Sequence, residues 1–449
     1  MADTIYQLLE YSLLEIGRIG RASSRAIRLL EIAEIFLGRG DPTRCLETLA
    51  KALQNIDLLK QPLEKAKLLA WTARLSCQAG DGAGARAQFL RAALLARAME
   101  TASQKEEALY RLACEYAGAG LEEETERALE ELYGLMSQGE GGIEAVQGLI
   151  DIAEIYADIS RGPKAAELLA EASDRTPGVR DSWFRIDLLS EIAAIYAGAG
   201  FPERASPALE QALSAFEQIG EASRLSFLLK IADVYKDLGS ELKTRDVLQK
   251  ALEVVDHEEL AYSKFRGLVE VARRYWQMGD QSASISLVLR AGKIAEGIED
   301  IRDKIASLTE IGLELGTAGQ REKALDMADK ALALGRQLED KRAKVYLLGK
   351  LVRLYSDLDS GDRAAAALSE IIRLVQEYRV QTSGLAVIAV DLAEAGKYSL
   401  ALELAQVLRE PEARSAALTG IAGSLVEANR ELDEQAKRVA MDAGKWARR

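Results

Sequence analysis

The sequence predicts an all-α protein built from a repeated pair of antiparallel helices. Its 449 residues include only seven prolines, about a third of the usual share of roughly 5%. Alanine, leucine and glutamate, which favour helices, are abundant. Glycine returns at intervals close to 40 residues, and apolar residues between these glycines follow helical spacing, as in Leu188, Leu189, Ile192 and Ile195. A helix–turn–helix unit repeated along the whole chain accounts for all three observations.

The turns are marked by one residue in each repeat. Most members of this series are glycine, which adopts left-handed backbone conformations without a steric penalty. They are Gly40, Gly80, Gly120, Gly200, Gly239, Gly279, Gly319 and Gly396. The remaining members are Ser160, Asp359 and Asn429, which are also residue types that tolerate turns.

Four further series share this period. A small residue stands seven positions before the turn, and an aromatic or apolar residue stands three positions after that small residue. Small residues then follow five and twelve positions after the turn. Repeat five shows the set as Ala193, Tyr196, Gly200, Ala205 and Ala212. Six of the fourteen tyrosines occupy the aromatic position, so we expect them to fill one packing site in each repeat, between neighbouring units.

Each repeat therefore consists of a first helix, a turn and a second helix. Proline stands two or three residues after the turn at Pro42, Pro163 and Pro202. This is the first turn of the second helix, where the missing N–H causes no loss. One such pair cannot bury its apolar faces alone, whereas stacking on the next pair does so.

The ordered set of small, aromatic, turn, small and alanine positions resembles the tetratricopeptide repeat (TPR). The resemblance extends over essentially the whole chain, although the period is 40 rather than the usual 34, and most repeats lack the proline that ends the second helix. A long-repeat variant, as in kinesin light chains, fits these departures. HEAT or armadillo repeats have a similar length and are the alternative. The resemblance implies a right-handed superhelical solenoid of antiparallel helix pairs.

The chain is divided by this period into three parts. Residues 1–20 resemble an unpaired second helix and are expected to form a lead or capping helix. About ten repeats occupy 21–415, and residues 416–449 hold a degenerate last repeat and a basic capping helix. Terminal repeats must present a polar surface to water. The glycine-rich stretch Gly139–Gly142 is the expected flexible point.

Charge and cysteine content favour some classes of protein over others. The 58 basic and 71 acidic residues leave a net charge of −13, which disfavours nucleic acid and favours a basic partner. Three cysteines without a CxxC pair suit neither a disulfide framework nor a zinc site. The sequence shows neither a signal peptide nor an apolar run long enough to span a membrane. We therefore expect a cytoplasmic protein without membrane insertion.

Few residues suggest chemistry. His257 is the only histidine, and a surface or capping role is favoured over catalysis. The stretch Gly80–Gly84 resembles a nucleotide loop, but a nucleotide loop needs a preceding strand, so we interpret the stretch as a turn between helices. The acidic run Leu121–Leu132 is either a solvated helix start or a docking patch for a basic partner. We expect no catalytic residues, metal or cofactor, and a helical-repeat enzyme is the least favoured reading.

The TPR resemblance places one stripe of the first helices in a concave groove. Residues six and three before the small position, and one, four and five after it, share one helix face. The partner-binding candidates on this stripe are Glu154, Asp233, Lys236, Arg266, Arg273, Trp276, Tyr346 and Arg353. Trp276 beside Arg273 either anchors an interface, where tryptophan and arginine are enriched, or packs against the next helix.

These observations support a non-catalytic scaffold or adaptor. Its groove would bind a peptide, a helix or a protein surface, with repeats six to nine as the preferred contact region. The alternative is a regulatory module that senses a ligand or peptide and acts on a separate effector chain, as TPR sensor domains of bacterial transcription regulators do.

Overall fold

A computed structural model describes residues 2–136, 142–216, 219–378 and 384–428. Within these ranges the chain forms 22 α-helices and a short 3-10 helix, Thr176–Gly178, with no strand. The first helices are α2 (Ala22–Gly38), α4 (Pro62–Gln78), α6 (Ala102–Gly118), α8 (Ile143–Asp158), α10 (Ser182–Gly198), α12 (Glu221–Asp237), α14 (Ala261–Gln277), α16 (Ile301–Thr317), α18 (Lys341–Asp357), α20 (Leu385–Glu394) and α22 (Pro411–Glu427). The second helices are α1 (Ala2–Ile16), α3 (Pro42–Asp57), α5 (Gly82–Arg97), α7 (Glu122–Met136), α9 (Gly162–Arg175), α11 (Pro202–Ala215), α13 (Glu241–His257), α15 (Gln281–Glu296), α17 (Arg321–Gly335), α19 (Gly361–Tyr378) and α21 (Tyr398–Val407). The predicted all-α repeat of helix pairs is confirmed.

The turn series has one backbone conformation. The eight glycines of the series have φ between 67° and 88°, and Ser160 and Asp359 adopt the same left-handed region at 60° and 50°. The N–H after the turn donates to the carbonyl of the aromatic position, as from Phe201 to Tyr196 at 2.8 Å. This bond closes the end of the first helix in the manner of a Schellman motif. Asn429 lies outside the described residues.

The small-residue positions allow the helices to approach closely. Ala193, Ala205 and Ala212 of repeat five are fully buried. At Gly312, which holds the first small position of repeat eight, an added Cβ would lie 2.7 Å from Leu354 Cδ2. A methyl group at that distance would overlap the leucine, so the series of small residues follows from the distance between neighbouring repeats.

The tyrosine series fills the contact between repeats, as predicted. Tyr156, Tyr196, Tyr235, Tyr275 and Tyr355 are buried, and Tyr116 is partly buried. The Tyr196 hydroxyl donates to the carbonyl of Ala166 in the preceding second helix at 3.4 Å. A cation eight residues after the aromatic covers the ring in three repeats, as Lys243 does over Tyr235. Burial raises the pKa of all six phenols.

The helices group into two compact units. The central unit holds residues 90–297, and the terminal unit holds residues 1–89 together with 298–449. In the central unit, consecutive first helices from α6 to α14 contact one another as well as their own second helices. The structure does not test the three-part division expected from the sequence.

In the terminal unit, α1 packs on α22. The lead helix therefore has a first-helix partner, which comes from the other end of the chain. The Ser12 hydroxyl lies 2.8 Å from both the Ser415 and Thr419 hydroxyls, and all three side chains are buried. Arg414 Nη1 donates to Glu15 Oε1 at 2.8 Å. The expected basic capping helix and the stretch 139–141 lie outside the described residues.

Candidate interaction face of the first helices

The eight partner-binding candidates all lie on first helices. We call the stripe that carries them the first-helix face. Six of them lie in the central unit, on α8, α12 and α14, and two lie in the terminal unit, on α18. The two sets are described separately below.

Helices α12 and α14 bring candidates of neighbouring repeats together. Asp233 Oδ2 accepts from Arg274 Nη2 at 3.0 Å, and Lys236 Nζ donates to Gln277 Oε1 at 3.0 Å. Lys236 also lies 3.5 Å from the Asp237 carboxylate. These side chains therefore already join one repeat to the next, and a partner would have to share or replace these bonds.

The remaining candidates on α14 differ in exposure. Arg273 Nη1 donates to Glu270 Oε1 at 2.8 Å within the helix. Arg266 is exposed and forms no ion pair with any described residue. Trp276 is partly buried, so it matches neither the fully exposed interface anchor nor the fully packed side chain that the sequence left as alternatives. The α14 part of the face thus offers an accessible guanidinium at Arg266 and, nearly three helical turns further along, a partly buried indole at Trp276.

Four carboxylates gather on α8 and α10. Gln147 Nε2 donates to Asp151 Oδ1 at 2.9 Å and to Glu191 Oε2 at 3.0 Å, so both acids lie around one amide. Burial raises the pKa of Glu154, and the charges of Asp158, Asp151 and Glu191 raise it further. Burial also raises the pKa of Asp151. Like charges therefore repel one another at this part of the face, where Glu154 and Asp158 are exposed to solvent.

One lysine partly balances this cluster. Lys230 of α12 contacts Asp187 and lies 3.2 Å from Glu191 Oε1. Its contacts connect α10 to α12, as Arg274 connects α12 to α14. Lys230 lies near Glu191 and Asp187 only, whereas Glu154 and Asp158 form no ion pair with any described residue.

Exposed aromatic rings continue the face at the start of α10. Trp183 and Phe184 are each 40% exposed. Trp183 packs edge-on against Phe227 of α12 with ring centroids 5.3 Å apart. Because Trp183 stands one helical turn before Asp187, the aromatic rings and the acids share one side of α10. The sequence analysis did not identify these rings.

In the terminal unit the two candidates on α18 have different surroundings. Tyr346 is 50% exposed, and Lys350 Nζ lies 5.0 Å from its ring centroid. Arg353 Nη1 lies 2.9 Å from Asp391 of α20 and Arg353 Nε lies 3.7 Å from Asp357. Tyr346 is therefore open to a partner, whereas Arg353 already joins two repeats.

A further position of the first helices, two residues before the small residue, was not among the predicted binding candidates. In repeats one to nine this position holds Glu31, Trp71, Arg111, Asp151, Glu191, Lys230, Glu270, Glu310 and Lys350. Eight of these nine residues are charged, a regularity visible in the sequence itself. The structure shows why it matters, because Lys230, Glu191 and Glu270 all take part in contacts along the first helices.

The only histidine and the three cysteines of the sequence lie away from the first-helix candidates or are buried or partly buried. His257 is exposed at the end of α13, and its Nδ1 lies 2.7 Å from the Glu253 carbonyl oxygen. Cys45, Cys77 and Cys114 are free thiols, and burial raises the pKa of Cys45 to about 11. Within the described ranges, no group of three or more histidine, cysteine, aspartate or glutamate side chains is arranged so that it could hold a metal ion. No helix within these ranges has the length and apolarity of a membrane span.

Comparisons with known proteins concern the fold. No protein-family model matches the chain, and no curated protein sequence matches it. Among solved structures, the nearly identical TPR-like repeats from Podosopora anserina are 18% identical, cover 45% of this chain and 100% of their own, and have a TM-score of 0.33. A signal transduction ATPase with a tetratricopeptide repeat sensor from Pyrococcus horikoshii is 17% identical over 87% of this chain and 63% of its own, with a TM-score of 0.33.

A Rap protein complexed with competence and sporulation factor is 14% identical over 94% of this chain and 99% of its own, with a TM-score of 0.31. The fold assignment rests on the chain's own helix pairs, left-handed turns and buried tyrosines. The chain folds as a helical-repeat protein with a repeat of about 40 residues, and its helix pairs resemble those of TPR-like solenoids.

Proposed function

We propose that this protein is a non-catalytic interaction module that binds a protein or peptide segment carrying basic side chains. The binding surface is the first-helix face of the central unit. One observation carries the proposal: Asp151 of α8 and Glu191 of α10 both accept from the Gln147 amide, at 2.9 and 3.0 Å. Burial and the charges of Asp158, Asp151 and Glu191 raise the pKa of Glu154 on the same face. A cationic side chain at this place would remove the repulsion.

The aromatic rings beside the carboxylates support a protein partner. Trp183 and Phe184 are each 40% exposed, next to the acidic part of α10. Exposed aromatic side chains supply most of the binding energy at many protein interfaces. An arginine or lysine stem can lie on these rings while its charged end reaches a carboxylate.

The α14 end of the same face carries the opposite charge. Arg266 and Arg273 lie there with Trp276. We propose that they contact acidic or carbonyl groups of the same partner, and that Asp233 and Lys236 contribute between the two ends. A face that is acidic at α8 and basic at α14 would orient a bound segment. In the terminal unit, Tyr346 and Arg353 are proposed as contacts of that unit's own first-helix face.

The net charge agrees with this choice of partner. The chain carries −13 at neutral pH, which accelerates the approach of a basic protein and slows that of an acidic one. Binding of this kind weakens as salt rises, because the Debye length falls from about 10 Å at 0.1 M to about 3 Å at 1 M.

The test begins with affinity capture from the native lysate and identification of the bound proteins by mass spectrometry. Binding of the purified candidate is then measured for Glu154→Lys, Arg273→Glu and Trp276→Ala. We expect each change to weaken binding by about tenfold, as loss of an interface anchor does. The matched control is Glu167→Lys, an exposed glutamate on the second helix α9.

The comparison of the two glutamates decides the result. Both substitutions change the net charge by the same amount, so a general effect of charge would act on both equally. If Glu154→Lys and Glu167→Lys bind the partner with equal affinity, the first-helix face is not the binding surface. Unchanged binding by Arg273→Glu and Trp276→Ala would remove the α14 end from the site.

A further inference from the structure

A cleft recurs on the other side of the repeats, between neighbouring second helices. The tyrosine of the intervening first helix lies at its base. Cavities with a tyrosine of this series at the base lie at Tyr156 in the central unit, about 220 Å³, and at Tyr355 in the terminal unit, about 350 Å³. Their linings correspond position by position, with Lys164 in the first and Arg363 in the second.

Two substitutions within the repeat enlarge the second cavity. Glu167 and Leu168 line the cleft at Tyr156, whereas Ala366 and Ala367 hold the same positions at Tyr355. The shorter side chains leave a space with apolar walls. Leu332 and Ala333 of α17 complete these walls.

The carboxylates of this cavity are already paired. Asp329 accepts from the Tyr355 hydroxyl at 2.9 Å and lies 3.1 Å from Arg363 Nη1. Glu370 lies 3.1 Å from Lys344 Nζ. Because each carboxylate has a cation beside it, neither supplies free negative charge to the cavity.

One basic side chain of the cavity lining has no ion-pair partner among the described residues. Arg336, the residue directly after α17, lines the cavity, and no described carboxylate lies within ion-pair distance of its guanidinium. The cleft at Tyr156 has the opposite character, because Glu130, Glu167 and Glu171 line it with Lys164 as the one basic residue. The cavity at Tyr355 is therefore distinguished by both its size and its charge.

We propose that this cavity binds an apolar molecule that carries a carboxylate. The carboxylate would pair with Arg336, whose planar guanidinium suits bidentate contact, and the apolar part would lie against Leu332, Ala366 and Ala367. The volume falls in the range of about 300–1,000 Å³ typical of ligand sites. The site lies in the terminal unit on second helices, so it does not depend on the function proposed for the first-helix face.

The proposal is tested with defined probes on the full chain. Hexanoate is titrated by calorimetry, with hexylammonium as the cation of equal length and acetate as the anion without an apolar chain. We expect saturable hexanoate binding with a Kd on the order of 1 mM, acetate binding at least about fivefold weaker, and no binding of hexylammonium. A short peptide ending in a leucine carboxylate, compared with its amide, shows whether a peptide terminus supplies the same group.

Variants locate the bound probe. Arg336→Gln is expected to weaken hexanoate binding by about tenfold, since a charge-assisted hydrogen bond is lost. Lys323→Gln, an equal charge change in the first turn of α17, should leave it unchanged. Ala367→Leu introduces the residue found at position 168 and should abolish binding with retained helical circular dichroism. Ala366→Glu should act likewise by repulsion. Absence of saturation, equal affinity for hexylammonium, or equal effects of Arg336→Gln and Lys323→Gln would overturn the proposal.

Discussion

The buried ion pair between the two ends of the chain supports a quantitative prediction. The Glu15 side chain is fully buried, and its Oε1 accepts from Arg414 at 2.8 Å and from Arg18 at 3.1 Å. Arg414 is 15% exposed, whereas Arg18 is 43% exposed. Arg414→Met therefore leaves a buried carboxylate whose remaining ionic partner, Arg18, is partly exposed to solvent.

The expected cost follows from this arrangement. Removing one member of a buried ion pair typically costs about 3–5 kcal/mol. Arg18 retains part of the interaction, so we expect the free energy of unfolding of the terminal unit to fall by about 3 kcal/mol. Arg18→Met is the matched control and should cost less than about 1 kcal/mol, because its contact is partly screened by water.

The measurement is urea unfolding followed by circular dichroism, together with hydrogen exchange of the α1 amides. Protection of α1 should fall most in Arg414→Met. The double variant Glu15→Leu/Arg414→Met should recover most of the loss, since an apolar pair leaves no uncompensated charge. A loss below about 1 kcal/mol for Arg414→Met, or an equal loss for Arg18→Met, would refute the conclusion that this pair holds α1 on α22.

The remaining predictions concern turns and titration. Gly200→Ala should lower the free energy of unfolding in urea by about 1 kcal/mol, because φ at this turn is +88°. Ser160→Gly, at a turn with φ 60°, should not lower it. Equal losses of unfolding free energy in the two variants would contradict the role of positive φ. Burial raises the pKa of Tyr355, so its stabilising contribution is complete below about pH 10 and is lost as pH rises through the folded pKa. Tyr355→Phe should remove from the absorbance titration one phenol that ionises above the usual pH range. Because the pKa of Glu154 is also raised, Glu154→Gln should raise the melting temperature at pH 7, and this gain should vanish below about pH 4.

Much of the fold could be predicted because its signals are local. A turn that needs positive φ selects glycine, and Ser160 and Asp359 were identified as turns by position alone. The small residues and tyrosines recur because each repeat offers its neighbour the same contact. Such constraints act within one repeat or between adjacent repeats, so they are visible as a period.

The candidate site was predictable only in part. The TPR resemblance implied which helix face would bind, helical spacing placed the candidates in one stripe, and all eight lie on first helices. The spacing did not show which of these side chains already form ion pairs or hydrogen bonds with neighbouring repeats. Asp233 is bound by Arg274 of the next repeat, and this contact depends on the offset between two helices. The aromatic pair Trp183 and Phe184 was missed because it precedes the stripe by one turn.

The amino-acid sequence was sufficient to predict the helix pairs, the left-handed turns and the residues that repeats bury against each other. These features depend on short-range backbone conformation and on contacts that recur every 40 residues. Only the tertiary structure showed that α1 packs on α22, that Lys230 balances part of the acidic face, and that Ala366 and Ala367 open a cavity beside Arg336. Pairing, burial and empty volume depend on distances between residues far apart in the chain, and no local pattern encodes those distances.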